Sequence, residues 1–83
     1  MKVTIKYFAS IREALGQGSE ARETSANTLG SLRDELLLTS PLHAACLARG
    51  KAVRMALNQV MSDESAQLTD GCEVAFFPPV TGG

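Results

Sequence analysis

The chain has 83 residues, 45% of them hydrophobic, a length that supports one core but not two independently stable ones. Its 8 basic and 9 acidic residues are spread along it for a formal charge of −1, so no basic stripe can neutralise a run of phosphates, and nucleic acid is not an expected partner. Nor is a membrane: the longest apolar runs are a few residues, and the N-terminus alternates Lys2, Val3, Thr4, Ile5, Lys6 instead of presenting a hydrophobic signal segment. A soluble, cytoplasmic protein is expected.

KVTIKYF, residues 2–8, alternates with period two and predicts a strand with Val3, Ile5 and Tyr7 on one face and Thr4, Lys6 and Phe8 on the other. In the following ASIREALG, Ser10 and Glu13 have the form of a capping box and Gly16 can supply a left-handed stop, so one or two helical turns fit. SEARET, residues 19–24, is polar and reads as a second strand pairing back on the first. NTLGSLRDELLLTSP predicts the main helix: Thr28 or Asn27 caps it, Leu29, Leu32 and Leu36 recur on one face, and Pro41 follows its end.

Residues 41–50, PLHAACLARG, read as a short helix with Pro near its start and Gly past its end, burying Leu42, Ala45 and Cys46. Val53, Met55 and Leu57 then alternate with Arg54 and Ala56, and Asn58-Gln59 predicts a tight hairpin into Val60-Met61. Asp70-Gly71 is a strong turn signal before a last strand, CEVAFF, whose faces are Cys72, Val74, Phe76 and Glu73, Ala75, Phe77. Pro78 and Pro79 end it, since neither can donate to a ladder. Cys46 and Cys72 are far apart, with no second Cys or His at metal-ligand spacing, so neither a metal site nor a disulfide framework is expected and both thiols read as small buried hydrophobes. His43, without an acid or nucleophile near it in sequence, reads as a surface or helix-end residue.

Strand, hairpin partner, helix, short strands and last strand suggest an α+β layer arrangement, one mixed sheet covered by the main helix, with the first and last strands adjacent at its centre. Leu29, Leu32 and Leu36 would then meet Val3, Ile5, Val74 and Phe76, each buried side chain contributing roughly 1.5–3 kcal/mol. Parity leaves Phe8 and Phe77 on the outer surface near one end of adjacent strands. Single surface aromatics are common, and Phe8 could turn inward as its strand ends; the alternative is an apolar docking patch.

Beyond Phe77 the sequence reads PPVTGG. Two prolines stiffen the base, four further residues reach roughly 13 Å when extended, and the glycines, lacking Cβ, pass through a narrow channel. A frayed end is one reading. The other is a working carboxylate: a partner holding ATP converts it to an acyl-adenylate, and a sulfur nucleophile then gives a thiocarboxylate. With no Walker-type glycine loop, no nucleophile beside an evident base and no carboxylate pair in a motif, the reaction centre would be assembled by partners.

KVTIKYFASIREALG, the central ALNQ and, most specifically, LTDGCEVAFFPPVTGG carry a resemblance that covers the whole chain. It resembles the family of small, sulfur-carrying subunits of molybdopterin synthase. That resemblance implies a ubiquitin-like β-grasp, a mixed sheet of about five strands packed on one main helix with short extra helices, with residues 1–79 as the domain and 80–83 as an extended tail. It implies that Gly83 is adenylated by an enzyme resembling ubiquitin-activating enzymes, which uses the ATP, and is then converted to a thiocarboxylate. Inserted into the large synthase subunit, the tail would donate sulfur to cyclic pyranopterin monophosphate, two transfers creating the dithiolene that binds molybdenum. Gly83 is then the sulfur carrier, Gly82 its slender neighbour, and Val80 and Thr81 the part lying in the partner's channel.

Phe8 and Phe77 match the family's interface aromatics, with Pro78 beside them on the partner-binding surface. Arg12 matches an arginine of the helical turn that either makes a polar contact to a partner or is an ordinary solvated side chain. The implied assembly has two small and two large subunits, with the active site on the large one and neither cofactor nor metal bound by this chain. No function carries over to residues 38–52. A β-grasp carrier serving thiamine, tRNA thiolation or cysteine synthesis, a protein modifier that forms isopeptide bonds, and an interaction module with an inert tail are the competing readings.

Overall fold

Strand β1 (Lys2–Tyr7) opens the fold in the computed structural model, which describes residues 1–78; its Val3, Ile5 and Tyr7 are buried while Lys2 and Thr4 are exposed. After it come α1 (Ala9–Leu15), β2 (Ser19–Glu23), α2 (Leu29–Leu37), α3 (Pro41–Leu47), β3 (Arg54–Leu57), β4 (Val60–Ser62) and β5 (Glu73–Phe77). The five strands form one sheet in the order β2-β1-β5-β3-β4, in which β1 and β5 run parallel and the other three pairs antiparallel. First and last strands are therefore neighbours, as the hydrophobic pattern predicts. One core cluster joins Val3, Ile5, Tyr7, Val74 and Phe76 of the sheet to Leu29, Leu32 and Leu36 of α2.

The start of α1 differs from the expected capping box. Phe8, not a serine, occupies the N-cap, with no side-chain hydrogen bond there, and Ser10 lies inside the helix. The cause is the strand pairing: the Phe8 N–H donates to the Phe76 carbonyl at 3.2 Å, so the chain stays extended through residue 8 and turns only at Ala9, whose φ is +52°. At the other end Gly16 takes the left-handed conformation, φ +73°, and donates its N–H to the Arg12 carbonyl, the stop its lack of a Cβ allows.

Thr28 caps α2, its Oγ1 accepting from the Ser31 N–H at 3.1 Å. Two further first-turn donors are satisfied from outside the helix: Leu29 N–H by the Ala66 carbonyl and Gly30 N–H by the Glu64 carbonyl, both at 3.0 Å. Gly30 makes this approach possible, because a Cβ there would stand 2.9 Å from Glu64 Oε1 and 3.2 Å from its carbonyl oxygen. The loop between β4 and β5 is thereby laid over the start of the main helix.

The expectation for α3 is corrected. The helix ends at Leu47, well before Gly50, and its buried residues are His43 and Leu47, whereas Leu42 is 56% exposed, Ala45 is exposed and Cys46 is half-buried. With few large apolar residues in the segment, its packing partners set the face. Arg33, buried on α2, donates from Nε to the Leu47 carbonyl at 2.7 Å and from Nη2 to the Ala48 carbonyl at 3.0 Å, tying the end of α3 to the main helix. His43 is buried against Tyr7, ring edge to ring face at 6.2 Å, so it is at a helix end, as expected, but not on the surface.

The β3–β4 hairpin turns on Asn58 and Gln59, with φ of +49° and +69°, the pair of left-handed residues that a two-residue turn of the primed type needs. Asn58 also accepts from the Glu73 N–H through Oδ1 at 2.9 Å, anchoring the turn to β5. Asp70 ties the opposite corner: its Oδ1 accepts from the Lys2 N–H at 2.8 Å.

Candidate functional site

The two aromatics left over by the core come together. Parallel pairing sets Tyr7 beside Phe76, so the next residues, Phe8 and Phe77, are neighbours too, with ring centroids 6.3 Å apart and planes at 83°, an edge-to-face contact. Phe8 is 46% exposed and Phe77 half-buried. Backbone bonds hold Phe8 on both sides: its N–H is on β5, and its carbonyl accepts from the Ile11 and Arg12 N–H groups of α1. The pair is therefore built on rigid elements, and it stands where β5 ends and the chain leaves the sheet.

The outer face of the sheet continues this apolar surface. Register sets Lys6, Ala75, Ala56 and Met61 in one row across β1, β5, β3 and β4. Ala75 and Ala56 form a low floor, shielded by their neighbours, and Met61 rises at the edge, 55% exposed. Sequence reading missed these three on the outer face; the available signal was small residues at outward strand positions beside an outward Phe. Basic groups border the aromatic end: Arg54 stands opposite Phe77 in the register, Lys6 shares the outer face, and Arg12 projects from α1 one turn beyond Phe8.

Arg12 is exposed, and its side chain makes no hydrogen bond or ion pair among the described residues; it lies along Gly18, where a Cβ would approach Arg12 Nε to 3.1 Å. Pro78, half-buried, follows Phe77 and lines a cavity between α1 and α3. Pro79 and the predicted tail residues Val80, Thr81, Gly82 and Gly83 lie outside the described residues.

Titratable groups elsewhere serve the fold. The Tyr7 hydroxyl donates to Glu20 Oε1 at 2.5 Å, and burial, reinforced by that carboxylate, pushes the phenol far above its ordinary range. His43 sits behind it, Nδ1 2.8 Å from Ser40 Oγ and Nε2 3.6 Å from Glu20. Glu35 is raised by burial, but hydrogen bonds from Arg22 and Thr24 outweigh this and hold it below the usual carboxylate range. Glu64, hydrogen-bonded by Arg49, is likewise held down. Cys72 is buried and Cys46 half-buried, both unpaired; among the described residues no group of three His, Cys, Asp or Glu side chains could hold a metal, and no helix is long and apolar enough to cross a membrane.

Known proteins resemble this chain in sequence and fold. The ThiS family model matches residues 5–83. The chain belongs to the ThiS family. The molybdopterin synthase sulfur carrier subunit of Escherichia coli (strain K12) is 41% identical over 83 residues, covering 98% of this chain and 99% of that one. Among solved structures, SAMP1 from Haloferax volcanii superposes with a TM-score of 0.80 at 24% identity over 100% of both chains, which speaks for the fold alone. The complex of subunits 1 and 2 of the molybdopterin-converting factor from Helicobacter pylori contains a chain that matches with a TM-score of 0.70 at 28% identity, again over 100% of both. The architecture is the ubiquitin-like β-grasp, an α+β fold, as the resemblance implied.

Proposed function

We propose that this chain is the sulfur carrier subunit of a molybdopterin synthase, acting in the cytoplasm as a rigid body, residues 1–79, that delivers an extended tail, residues 80–83. The observation that carries the reading is the outward Phe8–Phe77 pair, Phe8 exposed and Phe77 half-buried, at the root of the segment leading to Gly83, in a chain whose full-length E. coli relative bears that name. In this reading the outer sheet face docks on the large subunit; association of the two kinds of subunit is supported by the solved complex of subunits 1 and 2 of the H. pylori relative. Phe8 and Phe77 supply the apolar anchor, Pro78 the stiff departure of the chain, and Arg12 a charged contact at the rim. Two small and two large subunits make up the assembly.

The chemistry resides at Gly83. Its carboxylate attacks the α-phosphorus of ATP on a ubiquitin-activating-like adenylyltransferase, pyrophosphate leaves, and hydrosulfide from the sulfur donor then displaces AMP to leave a thiocarboxylate. The tail then enters the large subunit, Val80 and Thr81 in the channel and Gly82 giving the slender approach, and the sulfur passes to cyclic pyranopterin monophosphate. The carrier binds no metal or cofactor of its own and contributes position and the sulfur atom; partners supply the catalytic groups.

Intact mass spectrometry tests this. Incubated with the adenylyltransferase, ATP and a sulfur donor, the protein is expected to gain the mass of one oxygen exchanged for sulfur, localised to Gly83 by fragmentation. An unchanged mass under conditions that convert the E. coli relative refutes the reading. A ladder of larger adducts on denaturing gels would instead identify a modifier whose adenylate is attacked by lysine.

A further inference from the structure

Helices α1 and α3 lie against each other, and beside their contact is an open cavity of about 470 Å³, closed on its third side by residues 51–53. Ile11 and Ala14 of α1, Cys46 of α3 and Val53 make its walls mostly apolar. Two of its other wall residues indicate what fills it. Pro78, immediately after β5, is one of them, so the chain departs from the cavity itself, and Lys51 is another, the only charged side chain in the lining among the described residues.

We propose that this cavity is the resting berth of the chain's own last residues, with Val80 seated against Ile11, Ala14 and Val53 and the Gly83 carboxylate turned towards Lys51. The inference rests on the reading that Gly83 is the working end, and it adds a state of the free carrier to it. Connectivity and composition argue for this occupant. A single residue, Pro79, separates Val80 from the wall, so the two Cα atoms stand within about 7 Å, and the three further residues to Gly83 span at most about 10 Å, which keeps the carboxylate within the compass of the cavity. Val80 is the one aliphatic side chain after Pro79, and the carboxylate matches Lys51, the single cation of the lining among the described residues. Tethering makes the encounter intramolecular, so no high intrinsic affinity is needed.

One buried valine and one exposed ion pair, set against the ordering of a few residues, give a partly populated docked state rather than a lock. Such a state shelters the carboxylate, or the thiocarboxylate formed from it, between partners. It also lowers the apparent affinity of each partner by the fraction of undocked tail, since extended binding draws on that fraction alone.

Amide proton–nitrogen NMR spectra of the full chain, compared with a chain ending at Pro79, test this without any partner. Removal of residues 80–83 is expected to shift the amides of Ala14, Cys46, Lys51 and Val53 as well as that of Phe77. In Ala14→Trp, which fills the cavity from an exposed helix position, and in Lys51→Glu, which reverses the cation, the same truncation is expected to leave those cavity amides unmoved. Shifts confined to the residues next to the cut, or cavity shifts that persist in Lys51→Glu, overturn the proposal, and the second variant serves even if the first folds poorly. The outcome is separable from the sulfur reading: a carrier that forms the thiocarboxylate but shows no cavity shifts loses only the berth, and one that shows the shifts but never gains sulfur loses only the proposed chemistry.

Discussion

Replacing Phe8 by Ala separates binding from folding. Phe8 is 46% exposed, and a phenylalanine presents about 200 Å², so a partner that covers the ring removes about 90 Å² from water beyond what folding already hides. At about 25 cal/mol per Å² this is about 2 kcal/mol, a rise of about 30-fold in Kd for the large subunit. The fold loses the edge-to-face contact with Phe77, about 0.5–1.5 kcal/mol, which for a domain of this size lowers Tm by roughly 2–12 °C and leaves it folded at 25 °C. Titration calorimetry against the large subunit and a thermal melt followed by circular dichroism give the two numbers. Leu38→Ala is the control: Leu38 is 89% exposed at the end of α2, away from the aromatic pair, and its truncation is expected to change neither. An affinity unaltered by Phe8→Ala, or reduced as much by Leu38→Ala, refutes the assignment of the docking face.

Deleting Gly83 is expected to abolish sulfur transfer while leaving affinity for the large subunit within a few-fold, measured by single-turnover product formation and calorimetry; retained transfer would exclude the terminal carboxylate. Gln59→Gly is expected to stabilise the domain by about 0.5–1 kcal/mol in urea titration, because Gln59 holds φ +69° in a turn that prefers Gly at its second position; a loss of stability would show that the side chain makes a compensating contact. Phe77→Ala is expected to weaken large-subunit binding without unfolding the domain, read in the same two assays as Phe8→Ala, and an unchanged affinity removes it from the interface. Glu35, depressed by Arg22 and Thr24, contributes stability that is complete above the unfolded carboxylate value of about 4.3 and is lost as pH falls through its folded value. The stability gap between wild type and Glu35→Gln should therefore be largest at pH 7 and close towards pH 3; parallel profiles over that range would contradict it.

Most of the sheet was legible because its signals are local and redundant. Val3, Ile5 and Tyr7 alternate, the leucines of α2 repeat on one face, and Asn58-Gln59 and Asp70-Gly71 mark turns that the structure contains. Where reading failed, a distant partner made the choice. The Ser10–Glu13 capping box was outweighed by a strand hydrogen bond from Phe8 to Phe76, residues 68 positions apart that no window around α1 contains. The inward face of α3 was set by Arg33 reaching from α2 to the carbonyls of Leu47 and Ala48, and a buried arginine gives no hydrophobic signal. Likewise Ala56 and Ala75 are unremarkable as letters; only the register, which sets them opposite each other, turns them into the floor of a surface.

The parallel pairing of β1 and β5 links the two halves of the proposed site. Because Tyr7 stands beside Phe76, the residues that follow are both outward and adjacent, and the chain leaves β5 at the corner where β1 hands over to α1. A slip of one residue in β5 would turn Phe77 inward and Phe76 outward, which the buried stacking of Phe76 on Tyr7 forbids. The core that stabilises the domain thus also fixes the proposed docking anchor, which immediately precedes the proposed tail. In the proposed docking through Phe8 and Phe77, the five residues after Pro78 would, if extended, reach at most roughly 16 Å beyond the interface. A change in tail length by even one residue is then a displacement of the reacting atom by about 3.3 Å, too far for a near-attack geometry, which is why deletion of Gly83 is expected to cost the reaction and not the complex.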